Sequence, residues 1–100
     1  MLTLPIKKQW YDMILSGEKK EEYREIKEYY TTRFQNIGFL NENEEPTNIQ
    51  KEICFRNGYS NNSPSFIADC TLSIKQGNPI WGAIPNTEYY VLKINSIRND

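Results

Sequence analysis

Gly17-Glu18-Lys19-Lys20-Glu21-Glu22-Tyr23-Arg24 admits two conformations, and the architecture of the whole chain depends on which one it takes. Rich in charge and unbroken by proline, the run has the composition of a solvated helix. Its surroundings argue for an extended strand. The segment before it, Lys7 to Ser16, already has helical spacing, with Ile6, Trp10, Met13, Ile14 and Gly17 on one face. That face assigns Trp10 to the core. Lys7, Lys8, Gln9 and Asp12 lie away from it. Ser16-Gly17 then supplies a stop, because glycine takes the left-handed conformation that ends a helix cheaply. A helix that stopped there and resumed at once would have to reverse and find a new core face. Glu18–Arg24 has no apolar stripe to offer, so a strand lining a polar cavity is expected over Glu18–Ile26.

Outward from that strand the remaining elements follow. Leu2 to Ile6 reads as a short strand, with Pro5 confining it to a sheet edge or a strand end. Lys27 to Ile37 reads as a second helix, with Tyr29, Tyr30, Phe34 and Ile37 near helical spacing and Gly38 as its stop. Asn41 to Asn48 is an acidic, solvated loop. Three strands complete the chain. Ile49–Asn57 alternates Ile53 and Phe55 with polar neighbours, and Phe66–Lys75 places Phe66, Ala68, Cys70, Leu72 and Ile74 on one face. Tyr89–Ile97 sets Tyr90, Leu92 and Ile94 against Tyr89, Val91 and Lys93. Gly58–Ser65 and Gln76–Thr87 carry the glycine and proline punctuation of loops. Strands following segregated helices favour α+β over a doubly wound sheet. A small mixed β-barrel of about five to six strands with two flanking helices is expected, since closure removes exposed edges.

The 100 residues are the size of one domain, spanning 1–100. Only 38% of residues are hydrophobic, but 13% are aromatic, and large rings supply the buried area that a disordered chain lacks. The net charge of -1 is not that of a protein gripping long nucleic acid through many phosphates. A local patch or a small ligand is the alternative. With no histidine and only Cys54 and Cys70, neither in a C-x-x-C pair, no metal site and no cofactor are expected. Both cysteines lie in strand-like runs and read as reduced, buried thiols. Met1-Leu2-Thr3-Leu4-Pro5 lacks the long apolar run of a signal peptide, and no stretch has membrane-spanning length. Cytoplasmic residence and no membrane partner are the expectations.

Two constellations carry chemistry. On an extended strand, residues two apart share a face, so Glu22 and Arg24 project together. Lys19 sits beside the turn at Gly17, where backbone can approach a ligand closely. A lysine partly desolvated or held near a second cation, as Lys20 would provide, has a lowered pKa and becomes a usable base or nucleophile. The same run also reads as a solvated face in which Glu22 and Arg24 form an ordinary ion pair. Arg56, Asn57 and Tyr59 form the second constellation, an arginine, an amide and a phenol at a strand end. These suit reading and stacking upon a base, as single-stranded RNA readers do. Equally, Asn57-Gly58 suits a tight turn with Tyr59 merely packing. Trp81-Gly82 reads as a packed loop anchor.

The octapeptide resembles the ASCH signature G-x-K-x-x-E-x-R, matching it at Gly17, Lys19, Glu22 and Arg24. The preceding strand and helix, Leu4-Pro5-Ile6-Lys7 through Ile14-Leu15-Ser16, stand where that family has them. Ile53-Cys54-Phe55-Arg56-Asn57-Gly58-Tyr59, Trp81-Gly82-Ala83 and Tyr89-Tyr90-Val91-Leu92-Lys93-Ile94 look like a small branch of ASCH proteins from bacteria and phages. The resemblance implies a PUA-like barrel and a module binding RNA or a modified nucleoside. Lys7, Lys20, Arg24, Arg56, Asn57 and Tyr59 would then contact the ligand. Some small relatives look like amidohydrolases acting on 4-acetylcytidine, which would give Lys19 and Glu22 catalytic roles. Those enzymes carry threonine where Glu22 stands and use a glutamate from a later acidic helix with no counterpart here. A ribonuclease acting through Lys19 and Glu22, and a protein adaptor using loop 41–48 and exposed tyrosines, are the other readings.

Overall fold

Pro5 has no N–H to give to a neighbouring strand, and the fold puts its strand where that costs least. In the computed structural model, which describes residues 1–98, the first strand β1 (Leu2–Ile6) lies at one edge of a five-stranded sheet. Next come helix α1 (Lys8–Leu15), strand β2 (Glu21–Arg24) and helix α2 (Glu28–Asn36). Three strands follow, β3 (Gln50–Asn57), β4 (Ser65–Gln76) and β5 (Glu88–Arg98), with a short 3-10 turn at Pro79–Trp81 before the last. The strand order is β1-β3-β4-β5-β2. β1 runs parallel to β3, in register Leu4 to Phe55, and every other pairing is antiparallel. A parallel pair needs a long crossover. Here both helices and β2 lie within it.

The sheet curls, and the register shift between Asp69 and Cys70 marks a bulge in the longest strand pair. Its concave side holds the core. Leu4 and Ile6 from β1, Ile53 and Phe55 from β3, and Phe66, Ala68, Cys70 and Leu72 from β4 meet Tyr90 and Leu92 from β5. Tyr11 and Ile14 of α1 and Phe34 of α2 cover them. The Thr31 and Tyr90 hydroxyls share a hydrogen bond inside this core, tying α2 to β5. Cys54 and Cys70 are free; Cys70 is fully buried, which pushes its thiol up to about 12, and Cys54 is half-buried.

Three expectations change. The charged strand is shorter than Glu18–Ile26, because residues 17–19 finish α1. Gly17 has φ +85° and the Lys19 N–H returns to the Met13 carbonyl at 2.9 Å. Trp10 is half-buried and leaves the core to Tyr11, one position on, since Tyr11 and Ile14 are the pair that α1 turns toward the sheet. The sheet is a curled half-barrel: among the described residues no ladder joins β1 to β2. Pro5 cannot donate across that gap and β2 is only four residues long, so a side chain spans it, with Arg24 Nη2 donating to the Pro5 carbonyl at 2.9 Å. Tyr89 and Val91, on the opposite face of β5 from the core, are buried too. Ala83 and Tyr23 close over them as residues 77–87 fold back across the sheet. No helix is long and apolar enough to cross a membrane.

Candidate functional site

Strand alternation brings Glu22 and Arg24 to the same face of β2, at the gap beside β1. The Glu22 carboxylate is divided between two cations. Lys19 Nζ lies 3.1 Å from Oε1 and Arg24 Nη1 lies 2.6 Å from Oε2. Arg24 also donates to its neighbour's carbonyl, Tyr23 O, at 2.8 Å, and to Pro5 O across the gap. Its guanidinium is therefore held at three points, a use of the planar fork that a lysine could not reproduce.

Lys19 is the unexpected member. Its side chain is only 1% exposed. It donates to the Trp81 carbonyl and sits over two rings, 4.4 Å from the centroid of Trp10 and 5.1 Å from that of Tyr23. Burial lowers its pKa below the ordinary lysine value, with the attraction of Glu22 opposing that shift and Arg24 adding to it. The second cation is thus Arg24, not Lys20.

Above this triad opens a cleft of about 540 Å³. Glu22, Tyr23 and Arg24 form one side, and Pro5, Ile6, Lys7 and Lys8 another. Trp10, Trp81 and Gly82 contribute a third side, and Asn57, Gly58 and Tyr59 the fourth. Gly82 is required there: its φ is +101°, and a Cβ would lie 3.0 Å from the Trp10 ring. Tyr23 is fixed at its far end, where its hydroxyl donates to Glu21 at 2.8 Å and accepts the Asn78 N–H at 2.8 Å. Burial raises the Tyr23 pKa above the usual phenol range, so the ring stays neutral.

Of the residues expected around one ligand, the fold gathers Lys7, Glu22, Arg24, Asn57 and Tyr59. Lys19 stands behind Glu22 and does not line the cleft. Lys20 is exposed on the far side, beside Ile94–Ile97, with its carbonyl accepting from Ile94 N–H at 2.9 Å. Arg56 does not line the cleft either, and donates to Asn61 at 3.3 Å. Sequence reasoning missed Trp10, Trp81, Tyr23 and Lys8 as cleft residues. For Trp10 a signal existed, since an indole at the margin of an amphipathic face is as well suited to a half-wet site as to a core.

Comparison with protein-family models, with curated proteins and with solved structures found no match. The site is read from its own chemistry. Among the described residues no group of three or more His, Cys, Asp or Glu converges as a bound metal requires. What the cleft offers is cationic and aromatic: ammonium groups of Lys7 and Lys8 at the rim, a guanidinium edge at the floor, and four rings in the walls. Lys8 is partly neutralised by Asp12 at 2.6 Å. Such a set suits an anionic ligand with a flat, unsaturated body.

Proposed function

We propose that this chain is a binding module for a nucleoside phosphate or for RNA, and that its ligand sits in the cleft above Glu22 and Arg24. One observation carries the reading: a chain of net charge -1 places Lys7, Lys8 and Arg24 around a cleft that also takes both of its tryptophans. Phosphate would meet the cations, and a base would stack against an aromatic wall. Gly17, Lys19, Glu22 and Arg24 in the spacing G-x-K-x-x-E-x-R support placing the chain among ASCH proteins, and the curled mixed sheet with two helices is compatible with a PUA-like barrel.

Binding is favoured over hydrolysis by the position of Lys19. A nucleophile or base must reach the substrate, and this ammonium is buried behind Glu22 with Trp81 and Trp10 as its other partners. Its lowered pKa is the feature that favours the alternative, an amidohydrolase acting on an acylated nucleoside such as 4-acetylcytidine.

Since both tryptophans line the cleft, intrinsic fluorescence reports occupancy directly. Titration with cytidine and uridine monophosphates is expected to change the emission saturably. Lys7→Ala should weaken binding about tenfold, the worth of one charge-assisted hydrogen bond, while the unfolding midpoint stays unchanged because Lys7 is exposed. A flat titration with every nucleotide would remove the reading. Turnover of 4-acetylcytidine that disappears in Lys19→Ala would replace it with the hydrolase.

A further inference from the structure

A second cavity of about 260 Å³ adjoins the cleft, and the two share Pro5 and Tyr59 in their walls. Its other residues are Thr3 and Leu4 of β1, Lys27 just before α2, and Tyr29, Tyr30 and Arg33 of α2. The character of the cleft continues into it. Together the two cavities are lined by five basic side chains and one acidic one, Glu22, whose carboxylate already holds Lys19 and Arg24. Aromatic rings recur along the same path. Tyr59 is 89% exposed and Tyr29 54%, more than any packing role in the core requires. The Tyr29 ring has two partners. Arg33 lies over it, with the guanidinium 3.4 Å from the centroid, and Tyr30 meets it edge-on at 5.0 Å. Lys27 sits 5.4 Å from the Tyr30 ring.

Resting on the reading of the cleft given above, we infer that the ligand is a single-stranded polynucleotide of at least two nucleotides. It crosses Pro5 from the Trp10–Trp81 cleft into the Tyr29–Arg33 pocket, with Tyr59 at the crossing. A basic groove interleaved with exposed rings is how single strands are held without base-specific hydrogen bonds, because every base offers a π-face. A free nucleoside would leave the second pocket and its cations unused. The local path also reconciles ligand and net charge: the positive residues follow a strand a few phosphates long, while the acidic residues of loop 41–48 lie outside it.

The test compares uridine monophosphate with tetrauridylate and its deoxy counterpart, using the wild type, Tyr29→Ala and Arg33→Ala. Tetrauridylate is expected to bind the wild type at least tenfold more tightly than the monophosphate. Its affinity should fall more steeply with salt, the log–log slope growing by roughly 0.7 for each added phosphate contact. Both substitutions should erase most of the gain yet leave monophosphate affinity within twofold, which a general loss of folding would not do. Stronger binding of the ribo- than the deoxy-oligomer would identify RNA as the source, and equal binding a single strand of either kind. If the monophosphate binds but the oligomer binds no more tightly, the inference fails while the cleft reading stands. An oligomer gain that survives both substitutions also overturns it, as does equal binding of a hexaglutamate peptide. If neither nucleotide binds, both fall.

Discussion

Lys19 gives up water for neighbours drawn from three parts of the chain: Glu22 and Tyr23 on the strand that follows it, Trp10 on the preceding helix, and the Trp81 carbonyl far along the sequence. Glu22 is visible in the octapeptide, as is its pairing with Arg24, because a period of two puts that pair on one face of any strand. The burial is not visible. It depends on residues 77–87 folding back over the sheet, a long-range event that no local spacing encodes. Lys19→Met keeps the length of the side chain but leaves Glu22 buried with one cation and the Trp81 carbonyl without its donor. Removing one partner of a buried pair costs about 3 kcal/mol or somewhat more, to be read as a lower urea midpoint. The pH dependence has a definite sign. Because the folded pKa of Lys19 is lowered from 10.5, the unfolded chain holds this proton longer. Stability contributed by Lys19 therefore rises with pH in the window between the lowered value and 10.5. The gap between wild type and Lys19→Met should widen over that window, and a gap that narrows would mean that Glu22 dominates over burial.

At the scale of elements, the periods read from the sequence were reliable and the phases less so. Both helices and the three long strands fall where their apolar spacing places them, since burial of one face selects the register. Helix α1 keeps Ile14 on its buried face as expected but pairs it with Tyr11, so that Tyr11 enters the core and Trp10 reaches the cleft. Both are large, amphipathic rings, and hydrophobic spacing alone does not rank them. Loop 76–87 was legible as a loop from its glycines and prolines, but not as the cover of Tyr89 and Val91. Gly77 is the residue that lets it close. A Cβ there would stand 2.7 Å from the Tyr23 ring and 2.7 Å from the Ala83 Cβ. Gly77→Ala is expected to cost about 1–3 kcal/mol by overpacking. Because Tyr23 and Trp81 would move together, it should also shift the tryptophan emission maximum. Calorimetry and fluorescence on the same sample check both. An unshifted spectrum in a destabilised variant would show that the loop adjusts without disturbing the cleft.

Across the whole molecule, the open question for a five-stranded sheet of this size is how its edges are managed. Five strands with wide loops predict full closure, and the sheet instead stops one ladder short, at Pro5. The reason is local and physical: a proline at the edge removes a donor from the very ladder that closure needs. The resulting gap is also where the cationic and aromatic side chains of the cleft gather, since the same unpaired edges that a barrel would hide form its walls. Arg24 is what keeps the edges together, bonded to Glu22 and Tyr23 on β2 and to Pro5 on β1. Arg24→Lys preserves the charge but not the fork, so the ammonium can serve Glu22 or Pro5 without serving both in line. A loss of about 1–3 kcal/mol is expected, the worth of charge-assisted hydrogen bonds removed from a site only 11% exposed. Its distribution is the sharper readout. Amide exchange should accelerate in β2 and at the end of β1, while the β3–β4–β5 centre stays protected, because only the edges lose a tether. Uniform acceleration through all five strands would show instead that Arg24 acts on global stability and that the half-barrel needs no clasp.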